Sequence, residues 1–160
     1  MNIALVVSEF NAPIPDRMLE AARARARKLG ADVVAVVRVP GVWEIPLAVK
    51  ALLAREDVHA AVAIGAVVKG ETEHDELIAE TVAPALMRLQ LEAGKPVGLG
   101  ITGPGMTWDQ AEARVGNAAR AVEAAVRMVE HLSPPPKGRT RVRRARKGSL
   151  GSRRVSARNP

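Results

Sequence analysis

Four short apolar runs, residues 3–7, 33–37, 60–68 and 97–101, are each followed by a stretch with helical periodicity, and this alternation restricts the possible folds more than any other feature of the chain. The runs are too short for buried helices, are bounded by turn residues, and in three cases are rich in Val and Ile, so they read as buried strands. The first helical segment, about residues 16–29, carries Met18, Leu19, Ala22, Ala26 and Leu29 on one face and stops at Gly30. The second spans about residues 44–55. The third, residues 74–92, has Leu77, Ile78, Val82, Leu86 and Leu89 as its stripe, and the last comes after a Thr107/Gln110 capping box with Val115, Val122, Val126 and Val129 inward. Strands buried on both faces and joined by helices imply a parallel sheet, because right-handed crossovers lay helices on either side. The expected class is α/β, with binding residues gathered beyond the carboxyl ends of the strands.

A chain of 160 residues suits one domain with a sizeable core. It has no cysteine, which excludes a disulfide framework, a thiol nucleophile and a thiolate metal site. Its longest apolar stretch, residues 60–68, is too short to span a bilayer, and no basic segment precedes an apolar one at the N-terminus. A cytoplasmic protein without membrane association is expected. Phe10, Trp43 and Trp108 are the only aromatic residues, so Ala, Val, Leu and Ile must build the core.

Charge divides the chain in two. Ten of the 24 Lys and Arg residues fall in residues 133–160, where there is no acid, and the other 14 face 17 acids in residues 1–132. The body is therefore −3 and the tail +10. The prolines at 134–136 end the last helix, and residues 137–160 are too poor in apolar side chains to fold alone, so a disordered basic tail is expected. Such a tail could bind RNA, DNA or another polyanion by counterion release, or remain solvated without a specific partner; it has no aromatic residue for base stacking.

Four segments fall at the strand ends. Residues 65–76, GAVVKGETEHDE, run from a strand end through a polar glycine-containing turn into a helix start. Thr72 and Asp75 stand at capping-box spacing, which makes Thr72 the expected N-cap and puts His74 in the first turn, where unpaired N–H groups favour an anion such as phosphate. An ordinary capped loop with an exposed histidine fits the same spacing. Phe10, beside Asn11, serves either as packing or as a platform for a flat heterocycle. Glu44, between Pro40 and Pro46, either accepts paired N–H groups from a pyrimidine edge or complements a helix dipole. Gly103 and Gly105 either admit a ligand to the backbone or form a tight turn.

Together, SEFN (residues 8–11), VPGVWEIP (39–46), GAVVKGETEHDE (65–76), PVGLGITGPGMT (96–107) and QAEARVGNAARAVEAA (110–125) resemble the lumazine synthases of riboflavin biosynthesis over about residues 3–132. Several motifs in the correct order are far more specific than one. The resemblance implies a flavodoxin-like three-layer α/β/α sandwich with a four-stranded parallel sheet. It also implies condensation of a ribitylamino-pyrimidinedione with 3,4-dihydroxy-2-butanone 4-phosphate, without metal or redox cofactor. By position, Phe10 matches the aromatic that stacks on the pyrimidine. Val42, Trp43 and Glu44 match the segment bonding its ring and ribityl chain, and Ala66, Val67 and Val68 the strand end lining the pocket. Glu71 and Thr72 match the phosphate turn, Arg114 the phosphate-binding arginine, and His74 the proton-transfer residue.

Asp75 and Leu77 stand where bacterial members have aromatic residues, and Leu99 where a phenylalanine often packs on the pyrimidine; with GPGMT these are features of the archaeal branch. A lysine common near the phosphate falls on Ala119, with Arg120 beside it. The family site lies between subunits of a pentamer, Leu99 and Arg114 coming across the interface, so a homopentamer or a multiple of it is implied. Two alternatives are an archaeal-type riboflavin synthase, disfavoured by the intact GETEH turn and Arg114, and a shell or scaffold protein with a nucleic-acid-binding tail.

Overall fold

A computed structural model of the protein describes residues 1–133. Strands β1 (Asn2–Ser8), β2 (Asp32–Val39), β3 (Ala60–Ala66) and β4 (Val97–Thr102) form one parallel sheet in the order β2-β1-β3-β4. All four lie where the apolar runs put them, although β3 stops two residues before Val68. The central strands β1 and β3 are buried on both sides, which is why they read as continuous apolar runs; β2 and β4 are edges with exposed positions.

Helices α1 (Pro13–Lys28) and α5 (Asn117–Leu132) cover one face, and α2 (Ile45–Leu53) and α3 (His74–Ala93) cover the other. Alternate strand residues separate accordingly. Ile3, Leu5, Val7, Val62 and Ile64 pack with Met18, Ala22, Val122 and Val126, whereas Ala4, Val6, Ala61 and Ala63 meet Ile45, Val49, Val82 and Leu86. Each fully buried Val, Leu, Ile or Met side chain among these contributes about 1.5–3 kcal/mol. Helix α5 presses onto β4 so closely that a Cβ at Gly98 would overlap the carbonyl of Ala121.

The helices differ from expectation in three places. Helix α1 starts at Pro13 rather than Asp16, because proline is compatible with a first turn whose N–H groups have no partner. The last helix is two: α4 (Trp108–Glu112) begins at the expected capping box, in which Gln110 N donates to Thr107 Oγ1 at 3.3 Å and Thr107 N to Gln110 Oε1 at 3.1 Å, and residues 113–116 separate it from α5. Leu77, expected inside the α3 stripe, is 56% exposed, while Val82 and Leu86 are buried as expected. The basic segment and its polyanion binding concern residues that, Ser133 apart, lie outside those described.

Candidate functional site

From β1 the chain crosses to β2 on one side and then returns past β1 to β3 on the other. Loops leaving β1 and β3 therefore diverge, and a crevice opens between their carboxyl ends. A cavity of about 530 Å³ occupies it, within the range of small-molecule sites. Three of the four strand-end segments line it.

The β1 segment contributes Phe10 and Asn11. Backbone pairing continues past the strands, with Glu9 N to Val39 O at 2.8 Å and Phe10 N to Pro40 O at 3.0 Å, which fixes Phe10 beside the turn after β2. Asn11 then takes a left-handed conformation (φ 61°), tolerated by asparagine better than by most residues, and its side-chain amide donates to Ala66 O at 3.0 Å. This closure ties β1 to β3 and leaves the Phe10 ring 72% exposed at the cavity.

The β2 segment enters a single 3₁₀ turn, Val42–Glu44, before α2 begins at Ile45. Val42 rests over Gly65, where an added Cβ would lie 2.7 Å from both Val42 Cγ2 and Ser8 Oγ. Glu44 reaches back so that its Oε2 accepts the Gly41 N–H at 2.9 Å. Its other oxygen has no hydrogen-bond donor among the described residues, leaving it open to a ligand's N–H or hydroxyl.

From the last residue of β3 onward, Ala66, Val67, Val68, Gly70, Thr72, His74 and Asp75 line the cavity. Their loop is laced to the loop after β4: Val67 N donates to Thr102 O and Lys69 N to Met106 O, both at 2.8 Å, and Gly105 N to Asp75 Oδ2 at 2.9 Å. The expected Thr72/Asp75 capping box does not form. The N-cap is Glu73, so Asp75 sits at the second helical position rather than the third that a capping box requires, and its carboxylate turns to Gly105. His74 is nonetheless in the first turn of α3, where orphan N–H groups remain.

The cavity thus brings together Phe10, Val42, Trp43, Glu44, Ala66, Val67, Val68, Thr72 and His74. Glu71 is on the same turn, exposed, without lining the cavity. Leu99 and Arg114 are also outside it: Leu99 is 55% exposed on the edge strand, and Arg114 Nη1 donates to Gln110 O at 2.8 Å. Arg120 faces a groove between α1 and α5 with Arg25 and Lys28. The fourth strand-end segment holds the cavity from behind; Gly103 (φ 108°) has no room for a Cβ against Val67, so that glycine serves a tight loop contact. Asn11, Asp75 and Ile78 line the cavity although the sequence did not mark them as site residues, and Asn11 alone carried a local signal, an asparagine directly after a strand end.

A doubly wound parallel sheet with a largely apolar cavity at its switch point, rimmed by an exposed aromatic ring, a half-free carboxylate and a histidine at a helix start, defines a small-molecule-binding α/β protein. Similarity to known proteins narrows this class. The chain belongs to the lumazine synthase family, whose model, described as 6,7-dimethyl-8-ribityllumazine synthase, matches residues 1–133. A protein of that name from Methanopyrus kandleri is 52% identical over 132 residues, covering 82% of this chain and 94% of the relative. Its namesake from Archaeoglobus fulgidus is 51% identical, covering 82% of this chain and 92% of the relative. Another from Metallosphaera sedula is 48% identical over 143 residues, covering 89% and 95%.

Proposed function

We propose that the protein is a 6,7-dimethyl-8-ribityllumazine synthase, a transferase of riboflavin biosynthesis that condenses 5-amino-6-(D-ribitylamino)uracil with 3,4-dihydroxy-2-butanone 4-phosphate. The observation that carries this reading is the convergence of three strand-end segments, each bearing residues of the family pattern, on one cavity. Phe10 stacks on the pyrimidine, and the free oxygen of Glu44 with the backbone around Val42 and Trp43 bonds its polar edge and ribityl chain. The 66–68 strand end forms the opposite wall. The Glu71–Thr72 turn at the start of α3 receives the phosphate of the second substrate through its backbone N–H groups and the Thr72 hydroxyl.

In this reading the pyrimidine amine attacks the ketone, water leaves to give an imine, phosphate is eliminated, and the ring closes with loss of a second water. His74 carries protons between these steps. Juxtaposition does much of the work, since well-oriented reactants reach effective molarities of about 10⁵ M or more, and proton transfer adds roughly 10²- to 10⁴-fold.

The exposed positions of Leu99 and Arg114 support a site completed by a neighbouring subunit, and hence a homopentamer or a multiple of it. Further support comes from the apolar side chains Leu47, Leu77, Met87 and Leu91, exposed on α2 and α3 on the same side of the sheet. No described helix is long and apolar enough to cross a membrane. A phosphorylated, membrane-impermeant substrate supports a cytoplasmic setting. Polyanion binding by residues 133–160, on a charge of +10, is a separate proposal that the condensation does not need.

The test is to mix purified protein with both substrates and follow dimethylribityllumazine by absorbance and mass. Formation above the uncatalysed background supports the reading; a folded oligomer that gives no enhancement overturns it.

A further inference from the structure

Asp75 is 6% exposed, one of the few buried polar residues of the described chain, and no step of the proposed reaction uses it. Its Oδ2 accepts the Gly105 N–H at 2.9 Å across thirty residues of sequence. Among the described residues this is the only side-chain bond from the β3 loop or the first turn of α3 to the loop after β4; the two others, from Val67 and Lys69, are backbone to backbone. Gly105 has φ 75°, a conformation that presents its N–H to Asp75 and that residues with a Cβ rarely adopt. The carboxylate also lies in the first turn of α3, where the dipole favours it, one residue from His74 and three from Thr72.

We propose that Asp75 is a positioning residue: it clamps the Gly105 turn to the start of α3 and thereby fixes the Thr72–His74 turn in the geometry that receives the phosphate-bearing substrate. The inference rests on reading that turn as the phosphate end of the site. A hydrogen bond to a carboxylate is stronger than a neutral one, and the turn it braces lacks a side-chain cap of its own, since Glu73 at the N-cap makes none. Without the clamp, the hydrogen bonds that remain to the β4 loop among the described residues are the backbone pairs at Val67 and Lys69, both before the turn begins.

The experiment compares Asp75→Asn, which keeps an acceptor oxygen, with Asp75→Leu, which is of similar breadth and has none. Two readouts are taken: hydrogen exchange of residues 103–107 by mass spectrometry, and steady-state kinetics for each substrate separately. In the Leu variant, exchange at the Gly105 amide is expected to accelerate about tenfold or more, the effect of losing one hydrogen bond to a charged group. The KM for the butanone phosphate should rise by about tenfold or more and kcat should fall, because His74 shares the braced turn, with the pyrimidine KM within about threefold of the parent. The Asn variant, which keeps the acceptor but loses the charge, should fall between the parent and the Leu variant in both readouts. A merely structural defect would instead raise both KM values together. Unchanged exchange and phosphate-substrate KM in a folded Leu variant would overturn the proposal. So would a folded Asn variant that loses protection as fully as expected for removal of the acceptor, about tenfold or more, whether or not the Leu variant folds. Exchange is independent of turnover, so an inactive parent protein would sink the proposed reaction while the exchange data still decided whether the clamp exists.

Discussion

Replacing Gly65 by Ala tests whether the floor of the cavity is held by steric fit between strand and turn. A Cβ there would lie 2.7 Å from both Val42 Cγ2 and Ser8 Oγ. The carbon contact is about 0.8 Å short of the ~3.5 Å at which dispersion is favourable. Ser8 is fully buried and Val42 is 6% exposed, so neither side chain can swing into solvent. Ser8 has some freedom, because its hydroxyl makes no hydrogen bond within the described chain. Val42 has less: it is β-branched and begins the 3₁₀ turn that carries Trp43 and Glu44. Overpacking of this kind costs about 1–3 kcal/mol. The displacement passes to Glu44, and shifts approaching 1 Å in a binding group can reduce the rate by up to about 10²-fold. We therefore expect Gly65→Ala to lose about 1–3 kcal/mol in denaturant unfolding at fixed protomer concentration and to raise the pyrimidine KM about tenfold. Val42→Ala removes the clashing methyl, so the double variant should recover about 1 kcal/mol relative to additivity. Stability within ~0.5 kcal/mol of the parent, or strict additivity of the pair, would refute the view that Val42 rests on a bare strand.

The other expectations address separate parts of the site. His74→Ala should leave a slow but measurable enzyme, reduced roughly 10²- to 10⁴-fold because positioning survives; an unchanged kcat would remove His74 from proton transfer. Arg114→Ala should weaken the phosphate substrate most, through loss of a bidentate contact, and unaltered Michaelis constants for both substrates would contradict that assignment. Mixing Arg114→Ala protein with His74→Ala protein should restore part of the activity if the site is shared between subunits, since some interfaces then pair two intact contributions; no recovery in a mixed oligomer would argue for a site within one chain. Truncation after Leu132 should abolish salt-dependent RNA retention while leaving turnover intact, and retention that survives truncation would exclude the basic segment as its cause.

The range of the forces involved decides which features are legible in the sequence. Strands β1 and β3 are buried on both faces, so their apolar runs stand out without knowledge of their neighbours. The Thr107/Gln110 box is a contact between residues three apart, and it forms as its spacing requires. Thr72/Asp75 has the same spacing and fails, because the helix begins one residue later and a donor thirty residues away at Gly105 satisfies the carboxylate. A local pattern can state that a side chain is able to cap; it cannot exclude a competitor that only the fold brings within 2.9 Å. The exposure of Leu77 has the same origin. Its place in the apolar stripe is correct for an isolated helix, yet the stripe is wider than the surface α2 and the sheet offer, and Leu77 opens instead on the depression shared with Trp43 and His74. An apolar stripe wider than the intrachain core can fill is the mark expected of a helix with a second partner. The residue that departs from the intrachain pattern therefore points toward the same neighbouring subunit that the proposed shared site would set beside Leu99 and Arg114.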